Sequence, residues 1–202
     1  PFPIYLSDSG DNPTAGSTSD CTGFLRRIME DPRTAELETP VVFGGIYDPE
    51  ATLLCRDKVG QELTLTFGAK FDRSSSVPIT AKGTVLAYIK GWNKFHGVGD
   101  IALFRSCGVD IVLSENHIGY GLPAVFGDLG RNPADMQIVV CKLGYLTAQQ
   151  AAYAKRSIMA LSKGSTNEDL TSLDYRHIPR PIFPLDKDFS FEPAENLIRK
   201  TK

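Results

Sequence analysis

Three short apolar runs constrain this chain most: Ile4-Tyr5-Leu6, Pro40 to Tyr47, and Ile138-Val139-Val140-Cys141. Each passes directly into polar residues or a helix-start signal, the pattern of parallel strands buried on both faces in βα units. The first leads through Ser7 to Asp20 into a helix-like run, Phe24 to Met29. There Ser19 fits a helix N-cap, with Asp20 in the first turn where the macrodipole favours a carboxylate. The second ends at Asp48-Pro49-Glu50, an N-cap, an N1 proline and an acidic first turn. A short helix follows, with Ala51, Leu54 and Cys55 on one face. The third ends at Lys142 and precedes the longest helical pattern. In that pattern Thr147 with Gln150 reads as a capping box, Ala151, Ala154, Ile158 and Leu161 share a face, and Gly164 closes the helix.

Between the second and third runs the period changes. Leu63 to Phe67 alternates strictly, as a half-exposed strand does. Val77 to Ile89 is rich in β-formers, and Asp100 to Phe104 and Val109 to Leu113 flank Cys107-Gly108, the signature of a hairpin. Leu122 to Leu129 reads as a short helix. The resulting fold class is α/β, with a mixed sheet of parallel βα units and an inserted antiparallel meander. The three parallel strands then deliver Asp8 to Asp11, Asp48 and Lys142 to one sheet edge, where ligands collect in open α/β sheets. Residues 1–164 form this α/β domain. Residues 165–202 are punctuated by proline, and the apolar content of Ile178 to Asp186 predicts an extended strap packed on the same domain.

With 22 Lys and Arg against 24 Asp and Glu, the net charge is −2, and no basic stripe offers a nucleic-acid surface. No apolar run approaches the length of a membrane helix. The chain begins almost on a strand, with neither an initiator Met nor a signal-peptide core, so a piece of a longer polypeptide is expected. Cys21, Cys55, Cys107 and Cys141 lie far apart beside apolar segments. They read as buried free thiols of a reducing compartment, the cytoplasm.

Motifs for self-contained chemistry are missing. His96, His117 and His177 have neither metal-ligand spacing nor a diagnostic carboxylate, and there is no GxSxG elbow or Gly-Lys-Ser/Thr phosphate loop. Glu115 and His117 read as a surface strand end. No metal ligand set is therefore expected within the chain. The Ser7 to Asp20 loop carries more hydroxyls and carboxylates (Asp8, Asp11, Ser17, Thr18) than one cap uses. A capped βα connection and a ligand-placing loop both fit it. In the second case the amides after Gly16 would hold an anion at the helix start, with Lys70, Arg73 or Lys142 as charges.

Read in order, the motifs carry a family likeness. Asp11-Asn12-Pro13, Gly16 and Ser19-Asp20 are followed by Ile46-Tyr47-Asp48-Pro49-Glu50-Ala51. Val59-Gly60 then precedes a strand ending Phe67-Gly68-Ala69-Lys70. Val112-Leu113-Ser114, Ile138 to Lys142, and Pro179 to Asp186 complete the series. This order resembles the C-terminal domain of the MlrC proteins, the microcystin-degradation metallopeptidases. One departure is the loop, which in the family reads Asp-Asn-Pro-Gly-Gly-Gly. Here Thr14 and Ala15 replace two glycines, which alters how closely the backbone approaches a ligand and so which substrate is accepted.

The resemblance implies a zinc-dependent hydrolase of amide bonds in small or linearised peptides, in which metal-activated water attacks a carbonyl. It also implies that the zinc is bound by an N-terminal domain of the same protein, which shares a cleft with this chain. This chain alone would be inactive, and its share would be substrate positioning. Asp11 and Asn12 would orient the substrate, the Gly16, Ser19 and Asp20 region would receive an anionic group, and Lys142 would lie nearby. The implied partners are the N-terminal domain and a small peptide-like substrate, with no nucleic acid and no membrane; homo-oligomerisation is left open. The alternative is a non-catalytic ligand-binding or scaffold domain of a metal-dependent hydrolase acting on another small substrate.

Overall fold

The computed structural model describes residues 1–94 and 98–190. The chain divides into two compact units, Pro1–Glu168 and Asp169–Lys202. The first is built on an eight-stranded sheet. Its strands are β1 (Ile4–Asp8), β2 (Val41–Tyr47), β3 (Glu62–Phe67), β4 (Ile79–Asn93), β5 (Val98–Ser106), β6 (Val109–Ser114), β7 (Ile138–Cys141) and β8 (Arg156–Ala160). They are ordered β3-β4-β5-β6-β2-β7-β1-β8.

The sheet changes character at β6. From β3 to β6 it is an antiparallel meander, and from β6 to β8 every pair is parallel. The expected mixed sheet is thus present, with the Ile4, Val41 and Ile138 runs side by side as β1, β2 and β7. Both faces of β2 are covered, which explains its unbroken apolar run. Phe43 points into a core with Leu25, Phe67, Phe104, Ile111 and Val140. Val42 points into the opposite core with Tyr5, Leu103, Val112, Phe126 and Val139. Helices α1 (Gly23–Glu30) and α2 (Pro49–Leu54) contribute Leu25 and Ala51 to the first core. The short α3 (Ala124–Gly127) contributes Val125 and Phe126 to the second.

Several expectations need correction. The long helix after Thr147 is only α4, Ala148–Ala151. Thr147 does cap it, accepting from the Gln150 amide at 3.3 Å, but the Gln150 side chain turns inward and donates to the Tyr120 carbonyl. The chain then straightens into β8, which pairs with β1 from Ile4↔Arg156 to Asp8↔Ala160. A full parallel ladder outcompetes a helical period that only four apolar residues support. Second, α1 starts at Gly23 rather than after Ser19, and no side chain caps it. Ser19 sits at φ 60° with its amide on Asp11 and its carbonyl on Tyr47, so it is locked into the loop instead. Third, Cys107 is exposed at the β5–β6 turn while the other three thiols are buried, and Leu54 faces outward at 59% exposure.

Gly164, expected as a helix end, has another task. A Cβ there would stand 2.0 Å from the Gly10 carbonyl oxygen, and a Cβ on Gly10 would stand 2.1 Å from that of Ser162. The loops after β1 and β8 therefore touch backbone to backbone. The second unit is knit internally: Arg180 pairs with Asp186, whose carboxylate also accepts from the Ile182 amide at 2.7 Å.

Gly164→Ala combines a left-handed backbone with this clash, whereas Gly60→Ala, at φ 85° in open space, meets only the backbone preference. Denaturant unfolding should show Gly60→Ala costing about 1 kcal/mol and Gly164→Ala costing clearly more. Equal costs would mean the two loops do not meet as described.

Candidate functional site

All five parallel strands end on one edge, and the loop after β1 is built there around a buried charge cluster. Beyond Asp8 the chain makes two 3₁₀ turns, Ser9–Asp11 and Pro13–Ala15. Asn12 caps the second, its Oδ1 accepting from the Thr14 amide at 3.1 Å, and Gly16 closes it in the left-handed region at φ 99°. Asp11 turns inward. Its Oδ1 accepts from Ser17 Oγ and the Ser19 amide, both at 2.7 Å. Its Oδ2 accepts from the Cys21 amide at 2.8 Å and from Lys142 Nζ at 2.6 Å.

Lys142 is fully buried at the end of β7. Its ammonium donates to Asp11, to Asp8 Oδ2 at 3.0 Å and to the Cys21 carbonyl at 3.1 Å, so all three N–H bonds are engaged. Asp8 in turn accepts from Ser162 Oγ beyond β8. One cation thereby ties together β1, its loop, β7 and the segment after β8. Burial opposes the charge on Lys142, but the two carboxylates outweigh it and raise its pKa. Burial likewise opposes ionisation of Asp11, yet Lys142, Ser17 and the Cys21 amide hold its carboxyl below the usual range.

Two further buried carboxylates anchor the segment after β3. Asp48 caps α2 through Ala51 and also accepts from the Gly68 amide at 3.0 Å and Lys70 Nζ at 2.9 Å. Asp20 accepts from the amides of Phe71 at 2.7 Å and Asp72 at 3.2 Å. Gly68 is required here, because a Cβ would meet Thr22 at 2.3 Å and φ is 74°. This segment lays the Phe71 ring on Tyr47, stacked at 4.8 Å. His117 meets Tyr47 edge-on at 5.8 Å and reaches the Ser17 carbonyl through Nε2 at 2.6 Å.

The six residues singled out from the sequence fall into two layers. Asp11, Ser19, Asp20 and Lys142 are buried, while Asn12 is half-buried and Gly16 exposed. Asp11, Ser19 and Lys142 belong to one network; Asp20 serves the neighbouring segment. Several loop amides are already engaged, Gly16 on Pro13, Ser17 on Asn12 and Ser19 on Asp11. Tyr47 and Phe71 escaped sequence reasoning because stacking between separate loops has no sequence period. His117 was visible only as a strand-end residue. No group of three or more His, Cys, Asp or Glu among the described residues is placed to hold a metal ion. Among the same residues, no helix is long and apolar enough to cross a membrane.

Comparison with known proteins adds to this geometry. The profile of the family described as MlrC C-terminus matches residues 6–177. The chain belongs to that family. Microcystinase C from Sphingomonas sp. is 26% identical over 191 residues, 92% of this chain and 36% of that protein. A protein from Mesorhizobium sp. BNC1, solved under the name "Putative metallopeptidase", shares the fold with a TM-score of 0.73 at 22% identity. That likeness covers 95% of this chain and 40% of the other. This MlrC C-terminus chain thus spans well under half the length of both relatives.

Lys142→Met leaves Asp8 and Asp11 buried without their cation and should cost about 3–5 kcal/mol in denaturant unfolding. The pKa of Asp11 is lowered on folding, so its contribution is present above the ordinary carboxylate value and is lost as pH falls below it. Melting temperature should therefore fall below about pH 4. The pKa of Lys142 is raised on folding, so its contribution holds below about pH 10 and is lost at higher pH. A melting temperature unchanged from pH 7 to pH 3 would contradict this network.

Proposed function

We propose that this chain is the C-terminal domain of a zinc-dependent amide or peptide hydrolase of the MlrC type. Its contribution is to position a small peptide-like substrate at a cleft shared with an N-terminal metal-binding domain. The observation that carries this reading is the family match over residues 6–177, joined to the loop at the C-terminal sheet edge. The metal supplies an activated water when bound, and its ligands belong to the N-terminal domain. The residues of this chain bind and orient. Asn12 and the Gly16 region present polar groups to the substrate. Asp11, Ser19, Asp20 and Lys142 stand behind them as positioning residues, holding the loop in one conformation before substrate arrives. The parent protein acts in the cytoplasm.

A second reading has its own support. Asp11, Asp20 and Lys142 are buried with protein partners on their charged groups, which is what a scaffold without catalytic contribution requires. The Asn12→Ala variant separates the two. Removing this cap should cost about 1 kcal/mol of stability. In the full-length parent, kcat/KM for a linear peptide amide should fall at least about tenfold, equivalent to about 1.4 kcal/mol of transition-state binding. Loss of stability with unchanged turnover supports the scaffold.

Metal analysis gives a separate check. The full-length protein should carry zinc whose removal by a chelator abolishes hydrolysis and whose return restores it, while the purified 202-residue chain should carry substoichiometric zinc. A tightly held equivalent on this chain's own side chains would overturn the division of labour.

A further inference from the structure

We propose that the groove between α1 and β8 seats an amphipathic helix bearing Asp or Glu residues, supplied by a part of the parent protein outside residues 1–202. That the helix belongs to the same polypeptide rests on the function proposed above; its chemistry rests on the groove. Parallel strands of α/β sheets are covered by helices on both faces. Here the cover stops short of the end of the sheet. Among the described residues, the helical part of the first core comes from α1 and α2, and β8 contributes no residue to either core. The opposite edge needs no such cover, because β3 alternates exposed Thr64 and Thr66 with buried Leu65 and Phe67.

The register places the open surface. Leu6 pairs with Ile158, Asp8 with Ala160, and Ile4 with both Ile138 and Arg156, so the side chains of these partners share a face. It is the face that α1 covers, because Leu6 and Ile138 pack against the core that holds Leu25. Beyond them Ile158 is 42% exposed, and Leu161, just past the strand, 61%. Two cavities lie between this surface and α1. One, of about 430 Å³, is floored by Leu6, Ile28, Leu37, Val41 and Ile138. The other, of about 400 Å³, is bordered by Phe24, Ala160 and Leu161. Arg27 lines both, so they follow one side of the helix. An apolar floor with a helix along one wall is where a second helix packs, about 8–10 Å from the first.

Charge selects the occupant. Arg27, Arg156 and Lys163 are exposed, and none has an ion pair among the described residues. Arg27 stands between the two cavities, Lys163 lines the second, and Arg156 shares the face of Ile158. The one acid lining either cavity, Asp31, is held by Arg33, whose Nε reaches its Oδ1 at 2.9 Å. Unpaired cations around an apolar floor are complementary to an apolar helical stripe flanked by carboxylates, and they disfavour a basic helix. The relatives have length for such an element, since this chain spans 36% of Microcystinase C and 40% of the Mesorhizobium protein.

The test is photo-crosslinking within the full-length parent protein. A benzophenone maleimide is attached to Ile158→Cys in a Cys107→Ser background, which removes the exposed native thiol, and the joined peptides are read by mass spectrometry. The label should join a segment outside residues 1–202 that has apolar residues at helical spacing flanked by Asp or Glu. Arg27→Glu should lower the yield at least about fivefold, and Arg27→Lys should keep it. Raising NaCl from about 50 to about 500 mM should lower the yield with Arg27 intact, which decides the matter if Arg27→Glu fails to fold. A label that joins only residues 169–202, only a second copy of the protein, a segment without acidic residues, or nothing overturns the proposal. So does a yield indifferent to both Arg27→Glu and salt. The expected crosslink in a protein that cleaves no peptide amide would sink the hydrolase reading and keep the docking; cleavage with no crosslink outside this chain would do the reverse.

Discussion

A single buried ammonium organises the parallel half of this protein. Lys142 enters from β7 and meets carboxylates from β1 and its loop, one of which is bridged to the segment beyond β8. Burying a charge is costly unless it is paired and fully hydrogen-bonded. Here each N–H has an acceptor, and Asp11 accepts from five donors. The energetic consequence is specificity as much as stability. Any rearrangement of the loop after β1 would strand a charge away from water, so the loop has one low-energy course. The Phe43 ring, 5.5 Å from Nζ, closes the remaining side of the cation.

Asp20 and Asp48 repeat the device on the next loop. Both are buried and both accept from backbone amides of the Gly68 to Asp72 segment. The edge of the sheet is consequently a layered construction. Carboxylates lie beneath, engaged with backbone, while Thr14, Gly16, Phe71 and His117 are exposed above them. Residues that look catalytic by type are in the lower layer, and their charges are occupied in holding the upper layer in place.

Much of the fold was legible because two periods differ sharply. The continuous runs of β2 and β7 and the alternation of Leu63 to Phe67 marked which strands are covered on both faces and which on one. Asp48-Pro49-Glu50 announced α2 because capping chemistry is local. What failed was decided at long range. Ile158 fits a helical face with Ala151 and Ala154, yet it pairs with Leu6, more than 150 residues away in sequence. Ser19 has the composition of a cap, but Asp11 and Tyr47 claim its backbone. At the candidate site, the sequence marked the loop and Lys142 by residue type, but burial cannot be read from type. That Asp11 faces inward while Asn12 faces outward follows from the 3₁₀ turns, and the Tyr47–Phe71 stack from carboxylates anchoring a distant segment.

The strand order also sets a timetable for synthesis. β1 lies between β7 and β8, whose residues leave the ribosome about 130 or more positions later. At typical elongation rates that is a wait on the order of ten seconds. The meander from β3 to β6 needs no such delay, since each strand pairs with one made just before it. The antiparallel half can therefore assemble while the chain is still growing, whereas Asp8 and Asp11 remain hydrated carboxylates until Lys142 emerges. β1 therefore stays unpaired while the segment up to β7 is translated, and chaperones have longest access to it during that interval.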